Sequence, residues 1–465
     1  MVLIELNGKR VLVVGLGRSG VASALFLRSR GARVTVSDAK SEDQLRDQIP
    51  ILLDAGIAVE TGAHGERTFR NQDLIVVSPG VPVDAEPLVQ ARALGQPVIG
   101  EIELASQFLS GPIVAITGSN GKTTTTTLVG EIIAASGFKT SVGGNIGRAA
   151  ISLAEQATPE TVIVLEASSF QLETISSFRP KIAVVLNVTP DHLDRHRTFA
   201  AYVDAKARIF ENQQADDFAV LNADDPTCVD LAKRTRAQVV WFSREREVES
   251  GSSVRQGQVV FRRNGSAQIV LAVSEIPLKG SHNLENVLAA ACAGALMGCA
   301  PEQIRSAIIS FKAVEHRLEY VATIGGVEYY NDSKATNVDA TIKALESFPA
   351  NIHVILGGKD KGSDYTMLNK LLHERVKSVY TIGAAAEKIQ SHIKGTTQVV
   401  SSGTIEAAVR EASAAAQPGD VVLLAPACAS FDQFQSYEHR GRVFKDLVRQ
   451  LAVPNPSAHA REPQK

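Results

Sequence analysis

Residues Ile113 to Leu128 read IVAITGSNGKTTTTTL, and no other stretch limits the fold as tightly. The apolar run Ile113 to Ile116 has the length of a buried strand, and it breaks at once into a glycine loop followed by a long helical pattern. Glycines let backbone N–H groups curl around an anion, the helix start adds a positive end, and Lys122 brings a charge that reaches terminal phosphates. Thr123 places a hydroxyl where a phosphate-bound Mg²⁺ would sit. The loop is tighter than G-x-x-x-x-G-K-[ST], because Ile116 stands where that pattern has its first glycine. It predicts an α/β unit whose Gly118, Ser119, Asn120, Gly121, Lys122, Thr123 and Thr124 hold the phosphates of a nucleoside triphosphate.

At 465 residues the chain exceeds what one core supports, so two or three domains are expected. The net charge of −2 gives no electrostatic case for nucleic acid or an anionic membrane as partner. Cys228, Cys292, Cys299 and Cys428 form no CxxC pair and no zinc-site spacing. The start MVLIELNGKR lacks the pattern of a signal peptide, and no apolar run is long enough to cross a bilayer. These features predict a cytoplasmic protein without membrane insertion.

Before the phosphate loop, Lys9 to Val14 reads as a strand ending in Gly15-Leu16-Gly17-Arg18-Ser19-Gly20, with a helix to about Ser29 and a second strand closing on Asp38. This is the G-x-G-x-x-G layout of nucleotide-binding βαβ units, in which an acid holds a ribose hydroxyl. A plain glycine turn, with Asp38 capping the next segment, is the alternative. Strands near Ile57 to Glu60, Leu74 to Val77 and Pro97 to Ile99 follow, and Ser78-Pro79-Gly80 lies at a strand tip where open α/β sheets place ligands.

After the loop, strand Thr161 to Leu165 ends in Glu166, either a Mg²⁺ ligand or a cap for the following helix. Strand Ile182 to Leu186 leads into Asn187-Val188-Thr189-Pro190-Asp191-His192-Leu193-Asp194-Arg195-His196, whose histidines and aspartates suit metal or proton chemistry. In the next helix Phe199, Tyr202, Val203, Ile209 and Phe210 make an apolar face with Lys206 in its middle. That lysine either snorkels or sits in a dry site with a lowered pKa, where a neutral amine can take up CO₂ and become a carbamate. From Ala237 to Val273 the alternation predicts an antiparallel insertion with a hairpin at Asn264-Gly265. Asn283 and Asn286 open a long Ala-rich helix. Beyond about Lys312 comes another α/β unit, with strands Val327 to Tyr330, Ile352 to Leu356, Ser378 to Ile382 and Val421 to Leu424. The polar residues from Pro454 onward predict a disordered tail.

TGSNGKTT, LEASSFQL, NVTPDHLDRH, the lysine in YVDAKARIF, GSHNLEN, EHRLE, NDSKATN and ACASFDQF occur in this order, and over nearly the whole chain the sequence resembles the Mur ligases. The resemblance implies three α/β domains. Residues 1–110 would be a Rossmann-like domain for the uridine substrate, and 111–312 a P-loop ATPase-like parallel sheet with the antiparallel insertion. Residues 313–453 would be a Rossmann-like amino-acid domain that closes about a hinge near 311–315, with 454–465 as the tail. It further implies ATP, two Mg²⁺ sites and a monomer whose substrates are UDP-N-acetylmuramoyl-L-alanine and D-glutamate. Position by position, Gly15, Leu16, Asp38, Ser78 and Asn145 match the uridine-substrate site. Lys122, His192 and Lys206 match catalytic positions, and Thr123, Glu166, His192 and carbamylated Lys206 match the metal ligands. Asn286, Arg317 and Asp332 match ATP contacts; Lys334, Thr336, Lys359, Ser430 and Phe431 match D-glutamate contacts. Tyr437 stands where the family usually has phenylalanine, and Ala39-Lys40 where Thr-Arg is usual.

Overall fold

In the computed structural model, residues 5–63, 65–312 and 314–451 are described; the predicted tail lies outside them. Three sheets account for the strands. The first consists of β1 (Arg10–Val14), β2 (Arg33–Asp38), β3 (Ala58–Thr61), β4 (Leu74–Val77) and β5 (Val98–Gly100), all parallel in the order 3-2-1-4-5. Its central strands are nearly continuous apolar runs because helices cover both faces of a parallel sheet.

The second sheet holds β6 (Ile113–Thr117), β7 (Thr140–Gly144), β8 (Val162–Glu166), β9 (Ile182–Val185), β10 (Phe218–Asn222), β11 (Gln238–Ser243), β12 (Gly251–Arg255), β13 (Gln258–Arg263) and β14 (Ser266–Ala272). Their order is 14-13-12-11-10-9-6-8-7. Only β12 to β14 pair antiparallel, so the predicted antiparallel insertion is shorter than the alternation suggested. Gln238 to Ser243 instead extends the parallel array beside β10, since an alternating pattern marks a half-covered strand and not its direction. Asn264 and Gly265 form the expected hairpin turn, both with positive φ, and Gln256-Gly257 form a second one.

These two sheets belong to one compact unit, residues 1–277 with 285–311. Between them runs the helix Glu101–Ser106, buried along its whole length. The Glu103 carboxylate accepts N–H bonds from Ser176, Ser177 and Phe178, and Glu101 Oε1 accepts the N–H of Ile151 at 2.8 Å. The Glu103 carboxylate, satisfied by three backbone N–H groups, fixes the junction, whereas Glu101 keeps Oε2 without a partner.

The second unit comprises 278–284 and 312 onward. Its sheet runs β15 (Glu319–Ile324), β16 (Val327–Asn331), β20 (Val421–Leu424), β17 (Ile352–Gly357), β18 (Val376–Ile382) and β19 (Gln398–Gly403). Only β15 is antiparallel. Among the described residues no helix is long and apolar enough to cross a membrane.

Candidate active site

Strand order assembles the first constellation. β6 lies between β9 and β8, so the loops leaving their C-terminal ends are neighbours, the position open α/β sheets use for ligands. Gly121 has φ 84°, and a Cβ there would lie 2.2 Å from Asn286 Oδ1, so only glycine lets the loop turn so close to Asn286. The helix Lys122–Ala135 then starts without a side-chain cap, and its positive end follows directly on the loop. Lys122 Nζ folds back onto the carbonyls of Gly118 and Ser119, each at 2.8 Å.

The loop after β9 is laced to this cradle. Ser119 N–H donates to Asn187 O, Asn120 N–H to Asn187 Oδ1, and Ser119 Oγ to Thr189 O at 2.9 Å. His192 has φ 53° at the end of that loop, and its half-exposed ring meets Phe170 edge-on at 5.0 Å. His196, which the sequence placed in the same polar loop, is buried instead: its ring stacks on Phe170, and Nε2 lies 3.0 Å from Ser169 Oγ. Arg195 reaches the carbonyls of Pro79, Gly80 and Val81, which ties the loop to the first sheet's ligand edge.

Glu166 ends β8 and is buried at 3% exposure. The next helix, Ser169–Leu172, is capped by Ser168 in a capping box with Gln171, which removes the capping reading for Glu166. Asn145 Nδ2 donates to Glu166 Oε1 at 2.8 Å, whereas Oε2 is buried without a hydrogen-bond partner. An unmatched carboxylate oxygen in a dry site beside a phosphate loop is a hard-cation ligand by its chemistry, so the donor set fits Mg²⁺.

Lys206 does not snorkel. It is 1% exposed, its Nζ donates to Gly118 O at 2.8 Å, and the ammonium lies 4.5 Å from the Tyr202 ring centre. Burial first, then the charge of Lys122, hold its pKa well below the ordinary lysine value. The helix's charged residues Asp204 and Arg208 turn away, to Arg234 and to Glu211.

The G-x-G-x-x-G loop repeats the geometry in the first sheet, where β1 lies between β2 and β4. Leu16 N–H donates to Asp38 Oδ2 at 2.6 Å, and Ser78 Oγ to Gly15 O at 2.9 Å. Asp38 Oδ1 also accepts the Lys40 N–H at 2.9 Å, a local turn contact in line with the capping alternative. A Cβ on Gly20 would sit 1.8 Å from Gly15 O, and the glycine therefore lets helix and strand touch.

The second unit carries its own constellation. Leu318 N–H donates to Asp332 Oδ1 at 3.2 Å, and burial, opposed by Arg317, raises the Asp332 pKa to about 6. Lys334 lies 3.8 Å from the ring centre of Tyr437, so the aromatic departure from the family pattern still faces a cation with its π-face. Lys359 and Ala429 exchange backbone hydrogen bonds, which joins the loop after β17 to the loop of Ser430 and Phe431. Ser430 is buried and Phe431 exposed. Thr336 N–H donates to Lys334 O. Among the described residues one cluster has metal-ligand spacing, Glu315, His316 and Glu319, but Lys445 Nζ already bonds both carboxylates.

Residues 9–100 match the MurD-like N-terminal domain of Mur ligases, 116–294 the Mur ligase middle domain and 316–428 the Mur ligase glutamate ligase domain. A protein of Koribacter versatilis, named UDP-N-acetylmuramoylalanine–D-glutamate ligase, is 66% identical over 97% of this chain and 99% of its own. The chain belongs to the Mur ligase family. A second such ligase, from Acidobacterium capsulatum, is 59% identical over 96% of this chain and 97% of its own. In fold, the MurF ligase of Thermotoga maritima, solved with ADP, superposes with a TM-score of 0.61 at 18% identity, covering 96% of this chain and 99% of that one.

The Mur ligase fold therefore divides the expected site residues. The first unit holds Gly15, Leu16, Asp38, Ser78, Gly118 to Thr124, Asn145, Glu166, His192, Lys206 and Asn286. The second holds Arg317, Asp332, Lys334, Thr336, Lys359, Ser430 and Phe431. Sequence reading passed over Arg440, the largest fully buried side chain. The signal that could have found it is its place on the apolar face of the helix Tyr437–Leu451, four residues before Phe444 and eight before Val448.

Proposed function

We propose that this Mur ligase joins D-glutamate to UDP-N-acetylmuramoyl-L-alanine with hydrolysis of ATP to ADP and phosphate. The observation that carries the reading is the phosphate loop with Lys122 bound back on its own carbonyls beside the orphaned Glu166 oxygen. The relatives' shared activity names the substrates.

In the proposed reaction the muramoyl-alanine carboxylate attacks the γ-phosphorus of ATP, the β–γ bridging bond breaks, and an acyl phosphate and ADP form. Lys122 and the first-turn N–H groups of its helix stabilise charge on the transferring phosphoryl group. The D-glutamate amine, neutral at the moment of attack, then adds to the acyl carbon, and inorganic phosphate leaves. His192 is assigned either to the amine's proton or to the metal. Mg²⁺, when bound, neutralises phosphate charge, and Thr123, Glu166, His192 and a carbamylated Lys206 are the groups assigned to hold it.

Carbamylation suits the Lys206 site electrostatically. The neutral amine favoured there is the form that reacts with CO₂, and the product anion sits beside Lys122 in place of a second cation. The carbamate nitrogen keeps one N–H for Gly118 O. Asp38, Leu16, Gly15, Ser78 and Asn145 are assigned to the uridine substrate; Lys334, Thr336, Lys359, Ser430 and Phe431 to D-glutamate; Asn286, Arg317 and Asp332 to ATP. Turnover draws on groups from both units, and a monomer in the cytoplasm supplies both.

The test is an amino-acid panel. With UDP-N-acetylmuramoyl-L-alanine and ATP, phosphate release should depend on D-glutamate and not on L-alanine, glycine, L-glutamate or meso-diaminopimelate. Release driven by another amino acid would make the chain a Mur ligase of a different step.

A further inference from the structure

The residues assigned to D-glutamate lie on loops that leave β16, β17 and β20, and one buried side chain touches all of these loops. Arg440, on the helix Tyr437–Leu451, has 0% exposure. Its Nε donates to Ser333 Oγ at 2.9 Å and its Nη2 to Ser333 O at 2.8 Å and Cys428 O at 3.1 Å. Nη1 spans Cys428 O at 3.2 Å, Ala429 O at 3.4 Å and Gly357 O at 3.5 Å. Each acceptor lies within two residues of an assigned ligand: Ser333 precedes Lys334, Gly357 stands two before Lys359, and Cys428 and Ala429 lead into Ser430.

A guanidinium held by carbonyls and a hydroxyl is a costly way to fill a core, because dipoles repay the desolvation of a full charge less well than a carboxylate does. An apolar side chain would occupy the volume at less cost but could not bind carbonyls from separate loops. The planar fork of donors can. The same helix start adds two more links, Ser333 Oγ to Tyr437 O at 2.8 Å and the Lys334 ammonium over the Tyr437 ring.

We propose that Arg440 is a positioning residue for the amino-acid substrate: it sets the spacing of the Lys334, Lys359 and Ser430 loops so that the dicarboxylate meets all three together. The inference rests on the D-glutamate assignment above. It concerns the second substrate first: the phosphate loop and the uridine loop belong to the other unit, and Asp332, assigned to ATP but adjoining Ser333, makes the KM for ATP the necessary control.

The full-length enzyme is assayed with each substrate varied in turn, as wild type, Arg440→Met, Arg440→Lys and Ser333→Ala. Arg440→Met should raise KM for D-glutamate about tenfold or more, with KM for ATP and for the uridine substrate within about twofold of wild type. Arg440→Lys, which keeps the charge but not the fork, should recover part of that loss. Ser333→Ala removes two hydrogen bonds, from Arg440 Nε to Ser333 Oγ and from Ser333 Oγ to Tyr437 O, and opens almost no cavity; an increase of about threefold in the same constant is expected. If Arg440→Met does not fold, Ser333→Ala decides alone. A D-glutamate KM unchanged in the folded variants, or an ATP KM that rises in parallel, overturns the proposal. A wild-type enzyme indifferent to D-glutamate would instead overturn the substrate assignment, a separate failure visible before any variant is made.

Discussion

The chain contains two strand–glycine-loop–helix units that look alike in sequence and do different chemistry. After β1, the loop's Leu16 N–H is spent on the Asp38 carboxylate and its Gly15 carbonyl on the Ser78 hydroxyl. After β6, the Gly118 and Ser119 carbonyls are taken by the Lys122 ammonium and the Lys206 amine. The first loop thus presents an acid, which suits sugar hydroxyls; the second presents N–H groups and positive charge, which suit a polyphosphate. What differs between the loops is not the glycine pattern but a residue delivered from elsewhere: Asp38 from the end of β2, Lys206 from 88 residues beyond Gly118.

Variants at the two loops should therefore fail in different ways. Lys122→Ala is expected to lower kcat by about a thousandfold or more, with KM for the uridine substrate nearly unchanged. Steady-state assays with each substrate varied would show it, and a rise confined to the uridine KM would erase the contrast. Lys206→Ala should cost about a hundredfold in kcat. For the wild type, removing bicarbonate should lower activity and restoring it should bring activity back. Because falling pH protonates the amine and favours loss of CO₂, activity should fall on the acid side; bicarbonate-independent activity would exclude the carbamate.

Asp38→Ala should do the opposite of Lys122→Ala, raising the uridine-substrate KM about tenfold and leaving kcat at saturation close to wild type. The smallest effect is at the junction of the two sheets. Burial raises the Glu101 pKa to about 7 from 4.5, with Oε2 unpartnered. The folded chain therefore holds a proton that the unfolded chain releases, and this contribution to stability declines as pH rises from about 4.5 to 7. Glu101→Gln should abolish that slope and stabilise the protein at pH 8 by about 2 kcal/mol in urea titrations. A variant less stable than wild type at pH 8 would show that the ionised carboxylate is needed at the junction.

The parallel strands with apolar runs were legible almost to the residue: Leu74–Val77 and Val421–Leu424 are as expected. Thr140–Gly144, Phe218–Asn222 and Gln398–Gly403 were not, because two of them are edge strands or glycine-bearing segments whose pairing comes from their neighbours. The phosphate loop could be read because a glycine loop violates local pattern; the misplaced Lys206 stood out too, but pattern alone left snorkelling open. Glu166 was ambiguous in sequence, since an acid before a helix is usually a cap, and only the observed Ser168 capping box frees it for other work. Arg440 offered the same kind of signal as Lys206, since it stands four residues before Phe444 and eight before Val448 on the buried face of its helix, but its partners come from distant loops.

Most directly, the account turns on coupling. With all three substrates present, ADP and ligated product should appear one for one, and leaving out D-glutamate or the uridine substrate should stop net ADP release. Sustained ADP release without the amino acid, or product formed without ADP, would contradict it.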